Sequence, residues 1–445
     1  MGRDKLGAVD NVTHTLAGLV LAEAAWQARR AEARGAAGDA PGPGFRTVAA
    51  VAAVVAANLP DVDVPYAALR GLDPLASLLQ HRGYTHTLLA AAVGAVLTWA
   101  VALWVWRRRA RRGGAAEGPP DTAADRVWLL GLIVVAVLSH LALDWTNDYG
   151  VHPLSPWNNT WHYGDAVFIV EPWLWVAAVP ALLFAARRRA WRVALGLVLA
   201  AGIALAWAVP LVPRPAALAL TAGAALSLAL AARLRPGARA ALGLGGWVAV
   251  EVAFLLGTGA ARAHVVTAAA GDMRARLVDV VITPAPADPL CARAIAVEVA
   301  PNATSGARYR VTTAWVAALP GVVPVERCAP GSGALGEPAL PMRAAVRPRT
   351  AAVRWERTWD APLAELVALG RGNCWAAAVL RFARVPVWAP AGADSVMLED
   401  LRYDRGGGAG FAEFRIPARP ASCPDGVPPW RPPRAGLLAA SVPLA

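Results

Sequence analysis

Imidazole and carboxylate side chains are concentrated in the amino-terminal part of the chain. Six of the seven histidines precede residue 163, and most lie close to aspartates at the ends of apolar segments. Mixed imidazole and carboxylate sets suit zinc, manganese or iron, and such an ion acidifies a bound water so that it can attack an ester or a phosphoester. We therefore expect a centre with one or two divalent cations, zinc being favoured. The predicted metal ligands are His14, Asp61, His81, His86, His140, Asp144 and His152.

The spacing of two residue pairs supports this interpretation. In HLALD, His140 and Asp144 are four residues apart, so on a helix both side chains project from one face. In NLPDVD, Pro60 ends the preceding helix and lets Asp61 and Asp63 turn into one pocket. Each motif alone occurs by chance, and the prediction rests on their combination. The main alternative is a hydrogen-bonded polar network between helices, without a metal.

Three further residues are predicted to take part in catalysis. Asp63 or Glu171 would serve as a general base or a further ligand, and Arg82 would steady a phosphate. Glu171 is an isolated carboxylate just inside an apolar segment, where it needs a partner. His152 and His162 lie in an aromatic loop, and for these two a structural role is the slightly favoured interpretation.

The elements that must position these residues are membrane helices. Hydrophobic residues make up 57% of the chain and charged residues 17%, which is unusual for a soluble protein of 445 residues. Since a spanning helix needs roughly 20 apolar residues, we predict about eight spans. The good candidates are 86–106, 126–144, 166–186, 190–211, 215–233 and 240–262, and the weaker ones are 12–28 and 46–60.

Arginine-rich loops predict how these helices are oriented. Four loops carry the clusters, at 29–46, 107–112, 187–192 and 233–239, and the positive-inside rule makes them cytoplasmic. The net charge of +12 is therefore attributed to topology, and no direct nucleic-acid binding is expected. Counting spans from these loops places the amino terminus outside and exports the chain after about residue 262. The metal-ligand motifs then share one extracytoplasmic side.

The carboxyl-terminal tail is predicted to be a small β-rich exported domain. All four cysteines lie in it, which favours disulfides in three alternative pairings. Short segments rich in Val, Ala and aromatics indicate strands at 294–300, 309–316, 376–388 and 411–416. The charged turn with Asp400, Arg402, Asp404 and Arg405 is better explained by salt bridges than by a ligand.

The fold class is thus mainly α, a polytopic helical membrane bundle of about 6–8 spans followed by this β-rich domain. We divide the chain into three parts. Residues 1–185 would form the metal-site helical domain, 186–262 additional transmembrane helices, and 263–445 the disulfide-bonded extracytoplasmic domain.

The ordered motifs resemble those of a known family. DNVTHTLAG, NLPDVD, HRGYTH and HLALDWTNDYGVHPLSP are similar to segments of the YdjM-type inner-membrane proteins, which are described as metal-dependent hydrolases and as LexA-binding. FIVEPWLW looks like that family's next block. The resemblance covers residues 10–175, and the tail from about 280 is similar to the family's exported region. It implies a distant similarity to zinc-dependent phospholipase C and P1 nuclease, which are helical enzymes with clustered metals.

Two departures from those enzymes limit the metal count. They use a free amino terminus as a ligand, whereas here residues 1–9 precede the first motif. Their second His-x3-Glu pair is absent, because His162 and Glu171 are nine residues apart. One or two ions are therefore expected rather than three.

The expected function is that of a multi-pass, bacterial-type inner-membrane hydrolase. It would cleave a phosphoester or lipid-like substrate at the extracytoplasmic face, among membrane lipids, through a metal-activated water. The alternative is a non-catalytic membrane protein with a structural metal or polar site. Its exported domain would then bind an unidentified protein partner in an envelope or stress response.

Overall fold

The computed structural model describes residues 3–35, 39–112, 121–271, 275–302, 306–329, 340–404 and 411–438. The amino-terminal part forms a helical bundle. Its helices are α1 Arg3–Gly35, α2 Phe45–Asn58, α3 Asp63–Arg70, α4 Pro74–Gln80, α5 Leu88–Arg112, α6 Ala123–Thr146, α7 Pro172–Ala185, α8 Arg189–Ala208, α9 Arg214–Arg233 and α10 Pro236–Ala269. Short 3-10 turns at Pro60–Val62 and Tyr84–His86 separate α2 from α3 and precede α5.

Five described helices, α5, α6, α8, α9 and α10, are long and apolar enough to cross a membrane. Helices α2 and α3 pass the same test together but are bent by 58° at Pro60, so they can supply a sixth span. Two of the predicted spans lie in helices that are not both long and apolar enough to cross a membrane. Segment 12–28 belongs to α1, which carries charged side chains along its length, and segment 166–186 contains only the 14-residue α7.

Helix α7 is short for a local reason. Residues 166–171 are not helical, and Pro172 occupies the first helical position, where its missing N–H costs nothing. The helix is also the centre of the bundle, since Leu174, Trp175, Val179 and most of its other residues are buried against α1, α8, α9 and α10.

The described residues of the tail form two antiparallel sheets. The first has the strand order β1-β2-β3-β5-β4, and the second the order β6-β7-β8. The strands are β1 Arg276–Ala285, β2 Asp288–Asn302, β3 Gly306–Ala317, β4 Arg343–Ala344, β5 Val353–Pro362, β6 Pro386–Pro390, β7 Ser395–Asp400 and β8 Glu413–Pro417. Short helices α11 Val325–Cys328, α12 Leu363–Gly372, α13 Cys374–Val379 and α14 Ala435–Leu438 connect and cover them.

The predicted antiparallel β-structure is confirmed, with one correction. Segments 294–300 and 309–316 lie within β2 and β3, and 411–416 overlaps β8, but 376–388 begins in helix α13. The cause is Asn373, whose side chain accepts hydrogen bonds from two backbone N–H groups at the start of that helix. The predicted disulfides form, and they pair Cys291 with Cys328 and Cys374 with Cys423.

The predicted salt-bridged turn is also present in its described part. Arg402 bonds the carboxylate of Asp400 through Nη2 at 2.7 Å, and both side chains are buried. Asp404 is buried beside them, while Arg405 lies outside the described residues. The turn thus packs inside the tail and also contacts the bundle, because Arg402 donates a hydrogen bond to the carbonyl oxygen of Asp148.

The tail packs directly on the bundle. Helix α10 continues through the predicted boundary at residue 262, and its Ala261 and Val265 pack against the first sheet. One hydrophobic core joins Leu79 and Tyr149 of the bundle with Phe382 of the tail. The three-part division of the chain stays a prediction, and the parts meet through a shared core.

Candidate metal centre

Helix α6 carries two of the predicted ligands. A capping box between Thr122 and Asp125 fixes its start, since each side chain bonds the other residue's backbone N–H. His140 and Asp144 lie one turn apart near its other end, both buried, and His140 Nε2 is 3.1 Å from Asp144 Oδ2. The spacing argument for this pair is therefore confirmed as a shared helix face.

Two turns bring further residues to the same place. Pro60 begins the turn that holds Asp61, and Asp63 starts α3, so both carboxylates lie at the bend between α2 and α3. Residues 81–87 form the other turn, in which Gly83 is required. A Cβ at this position would lie 2.8 Å from Gln80 O and 2.8 Å from the Trp430 ring.

Four buried side chains converge in a first ligand group: Asp61, His86, His140 and Asp144. His86 Nε2 lies 3.1 Å from His140 Nε2, 2.9 Å from Asp144 Oδ2 and 3.5 Å from Asp61 Oδ1. His140 Nε2 lies 3.5 Å from Asp61 Oδ1. Four ligands at about 2.0 Å from a tetrahedral zinc ion are about 3.3 Å from one another. The residues present therefore fit a metal ion of this size.

Hydrogen bonding prepares His140 for this role. Its Nδ1 is 2.7 Å from the carbonyl oxygen of Ala57, which accepts hydrogen bonds only. Nδ1 therefore carries the proton, and the Nε2 lone pair faces the other three side chains. An imidazole fixed by a backbone carbonyl in this way is typical of metal ligands.

His86 contacts carboxylates through both ring nitrogens. Burial lowers the pKa of His86, but Asp144 and Asp61 together raise the pKa above its usual value. The pocket therefore has a strong preference for positive charge next to His86, which either a proton or a cation can supply.

A second ligand group shares one residue with the first. Asp61, Asp63 and His81 bring one ligand atom each within 4.8 Å of one another. His81 Nδ1 is 3.3 Å from Asp63 Oδ1, and Thr85 donates a hydrogen bond to Asp63 Oδ2 at 3.1 Å. The His81 side chain is 27% exposed, unlike the members of the first group. The second group is thus smaller and closer to solvent.

Arg82 lies between the two groups. Its side chain is buried, and its Nη2 is 2.9 Å from Asp144 Oδ1 while Nη1 donates to Asn147 at 2.7 Å. Its backbone N–H donates to Asp63 at 3.1 Å, and its φ of 58° is in the left-handed region, which is strained for an arginine. Arg82 therefore orients a carboxylate from each group.

His14 is close to the first group without belonging to it. Its Nε2 is 3.5 Å from Asp144 Oδ1, and its ring stacks on that of His140 with centroids 3.8 Å apart. His14, a predicted ligand, thus lies on α1 at the wall of the pocket, where it contacts Asp144 and His140.

Like His14 and Arg82, two further predicted site residues are not part of either described group. His152 is buried between the rings of Trp161 and Trp430, with centroids 3.9 and 4.0 Å away, and burial lowers its pKa to about 3. Glu171 caps α7 by accepting a hydrogen bond from the Trp173 N–H, and its other oxygen accepts from the Ala287 N–H. Burial raises the pKa of Glu171 to about 8.

Several residues that support the site were not predicted from the sequence. Thr85 and Asn147 lie inside the motifs HRGYTH and HLALDWTNDYGVHPLSP, so their hydroxyl and amide groups were available signals. Trp430 could not be found in this way. It follows the ligands by more than 280 positions, yet it donates to Leu79 O at 2.6 Å and its ring centroid lies 4.9 Å from that of Tyr84.

Comparison with known proteins agrees with the motifs. Residues 9–212 match the family model described as YdjM inner membrane protein. Neither the curated proteins nor the solved structures give a match. The distant similarity to phospholipase C and P1 nuclease therefore stays a prediction. The ligand groups all fall within the matched residues, and the protein is a membrane protein whose amino-terminal region, residues 9–212, is similar to the YdjM inner membrane protein family.

Proposed function

We propose that the protein is a membrane-bound, metal-dependent hydrolase that acts on a phosphoester or lipid-like substrate. The observation that carries this proposal is the convergence of two imidazoles and two carboxylates in one buried pocket, at distances that suit a small divalent cation. A divalent cation such as zinc, when bound there, acidifies a water molecule and polarises a phosphoryl or ester oxygen.

The two ligand groups suggest different roles. The first has four protein ligands, which is typical of a closed structural site. The second has three, and a site with three protein ligands keeps a position open for water or substrate. We infer that two ions bind, with Asp61 as the shared ligand, and that the substrate approaches the second group. Asp63 would be a ligand there.

The surrounding residues would hold the ligands in place before substrate binds. Arg82 fixes Asp144 through its guanidinium and Asp63 through its backbone N–H. Ala57 fixes the ring of His140, and Thr85 fixes Asp63. Such outer contacts set ligand orientation and basicity, and their loss typically weakens metal affinity by about 10–100-fold. The sequence predicted that Arg82 contacts a substrate phosphate. Because its guanidinium already bonds Asp144, fewer of its N–H groups would be available for that contact.

An apolar groove near the start of α5 and the end of α6 supports a lipid-like substrate. Leu88 and Leu141, which follow His86 and His140 closely in the chain, line it together with Trp145 and Pro153. Its volume is about 280 Å³, and Leu88 is 46% exposed. In a membrane this groove would face acyl chains, so a phosphoester headgroup could reach the ligands while its chain lay in the groove.

The sidedness of the site is part of the proposal. The arginine-rich loops are at the other end of the helices, which makes that end cytoplasmic by the positive-inside rule. The two disulfides lie in the tail, on the side of the ligand groups, and disulfides persist in oxidising compartments. Both observations favour an extracytoplasmic metal centre and an exported tail.

A structural metal is the competing function. The closed, four-ligand first group favours it, because such a site can brace α6 and the two turns without any reaction. In that case the tail would be the functional part and would bind a partner. The two proposals differ in what the second ligand group does.

Metal content and activity together test the proposal. The protein purified in a mild detergent should contain close to two equivalents of a transition metal by mass spectrometry. The double variant His140→Ala, Asp144→Ala should lose the first ion, and His81→Ala should lose the second. His264→Ala is the matched control, because this histidine is half-buried on α10 and belongs to neither described group.

The outcomes separate the two functions. Loss of phosphodiesterase activity on short-chain phospholipids in His81→Ala, with one ion and the thermal stability retained, supports a hydrolase. A wild-type protein that holds one ion and loses its fold when the ion is removed supports the structural function. A protein that holds no metal even after reloading contradicts both.

A further inference from the structure

A second polar cavity lies at the end of the bundle away from the ligand groups. Its volume is about 280 Å³, and it is formed by residues of α1, α2, α7, α8 and α10. On α1 its lining residue Arg30 follows His14 by 16 positions, which is roughly 24 Å along a helix. The cavity is therefore separate from the metal centre.

The lining of this cavity is strongly basic. Five arginines from five different segments line it: Arg30, Arg46, Arg187, Arg192 and Arg239. Among the described residues that line the cavity, the carboxylate is Glu23 alone. Five positive charges against one negative charge leave an excess of four positive charges around a small volume.

Bonds within the protein fix three of these guanidiniums but leave the excess charge. Arg46 Nη2 lies 2.8 Å from Glu23 Oε2, and this ion pair accounts for the one carboxylate. Arg239 donates to the carbonyl oxygens of Ala231 and Leu234, and Arg192 donates to that of Ala186. Carbonyl oxygens carry no net charge, so these bonds orient the arginines without neutralising them.

Several other arginines at the same end pair with carboxylates. Arg29 is buried with its Nε 3.0 Å from Asp125 Oδ1. Arg107 and Arg126 both bond the carboxylate of Asp121, at 2.7 and 2.6 Å. The positive-inside rule accounts for arginines at this end of the bundle. It does not explain why some of them pair with carboxylates while the five cavity arginines converge on an open volume.

We propose that this cavity binds the phosphate-bearing headgroup of an anionic phospholipid. Guanidinium groups bond phosphate oxygens in pairs, and basic pockets between membrane helices bind anionic headgroups. The other walls are apolar, including Trp26 and Phe184. Val193 and Leu197 on α8, which follow Arg192, are 54% and 66% exposed and would contact the acyl chains. The volume suits a headgroup, with the chains outside.

A thermal-shift measurement on the full-length protein tests this proposal. In a neutral detergent, phosphatidylglycerol should raise the apparent Tm by several degrees, and phosphatidylcholine should not. The triple variant Arg30→Gln, Arg187→Gln, Arg192→Gln should lose this shift. All three side chains are exposed, so their replacement leaves the core intact. The matched control is Arg109→Gln, Arg111→Gln, Arg112→Gln, which removes the same charge from exposed positions on α5 outside the cavity.

Further arms of the experiment distinguish the sources of phosphate and guard against a folding defect. Inorganic phosphate alone, added in the same concentration range, should give no shift, and retention of phosphatidylglycerol in native mass spectrometry should fall in the single variant Arg187→Gln. Equal loss of the shift in the control triple variant would overturn the proposal, as would an equal shift with phosphatidylcholine. A full shift with inorganic phosphate would overturn the assignment to a lipid. None of these readouts depends on the metal centre.

Discussion

Buried carboxylates are compensated in different ways in the bundle and in the tail. In the bundle, Asp61 and Asp144 lie against imidazoles and the guanidinium of Arg82. In the tail, Glu399 on β7 lies opposite Glu413 on β8, and both Glu399 oxygens are buried without a hydrogen-bond partner among the described residues. Burial and the neighbouring carboxylates raise the pKa of Glu399 to about 8. The first arrangement suits a cation, whereas the second suits a proton.

A third arrangement occurs where the two regions meet. Arg384 of the tail bonds both oxygens of Asp165 at 2.6 and 2.9 Å and also bonds Asp279 at 2.9 Å. Here a fixed guanidinium supplies the compensating charge, and it does so across the junction with the bundle. The charge of a buried carboxylate is therefore compensated in three ways in one chain: by a cation, by a proton or by a fixed guanidinium. Each arrangement can be removed by a single substitution.

The largest effect is expected from Asp61→Asn. Asp61 belongs to both ligand groups, so its amide replacement should lower the metal content from about two equivalents to near zero. A neutral amide is a far weaker ligand for zinc than a carboxylate. Mass spectrometry of the purified protein gives the metal content, and Asp394→Asn, at an exposed position in the tail, is the control. Retention of one full ion in Asp61→Asn would mean that the groups do not share this ligand.

An intermediate effect is expected from Arg384→Gln. Arg384 is 4% exposed, and its removal leaves part of the charge of Asp165 and Asp279 uncompensated. Breaking a buried ion pair by removing one partner costs about 3–5 kcal/mol. Asp165 also bonds Arg262, and Asp279 also bonds Arg434. We therefore expect the loss in free energy of unfolding to be near the lower limit of this range.

The measurement for Arg384→Gln is the apparent Tm in detergent together with limited proteolysis of the tail. The variant should unfold at a lower temperature, and its tail should be cleaved faster. Arg419→Gln, at an exposed position of the same region, should behave as the wild type. Equal proteolysis rates in Arg384→Gln and wild type would show that the shared hydrophobic core alone attaches the tail.

The sequence predicted several members of the two ligand groups because their signals are local. The spacing of His140 and Asp144 is a property of one helix, and Pro60 ends α2 next to Asp61 whatever the rest of the chain does. Long-range contacts are not encoded in this way. The stacking of Trp430 on His152 joins residues 278 positions apart, and no local pattern indicates it.

Glu171 and the disulfides show the same limit. An isolated carboxylate next to Pro172 indicated a missing partner, and the partner is the backbone N–H of Ala287 at the tip of the β1–β2 hairpin. Four cysteines likewise indicated disulfides, but the choice among three pairings depends on how β2, α11 and α13 pack. Type and spacing predict which groups need partners, and tertiary packing decides which partners they find.

The smallest effect is expected from Glu399→Gln, and it depends on pH. The pKa of Glu399 is about 8 in the folded protein against 4.5 for an ordinary glutamate. Between these values the folded state holds a proton that the unfolded state has released, so the stability of the wild type should fall as pH rises from about 5 to 8 and then level off. The glutamine variant has no such proton. It should therefore lose this decline and, near pH 6, be more stable than the wild type by about 2 kcal/mol.

Apparent Tm measured between pH 5 and pH 9 checks this expectation, and Glu326→Gln is the control because that carboxylate is exposed and pairs with Arg349 at the surface. The control should keep the wild-type pH profile. A Glu399→Gln profile that also keeps the wild-type slope would show that this carboxylate is ionised in the folded tail at neutral pH. In that event a cation must lie beside Glu399, and the contrast between a cation site in the bundle and a proton site in the sheet would not hold.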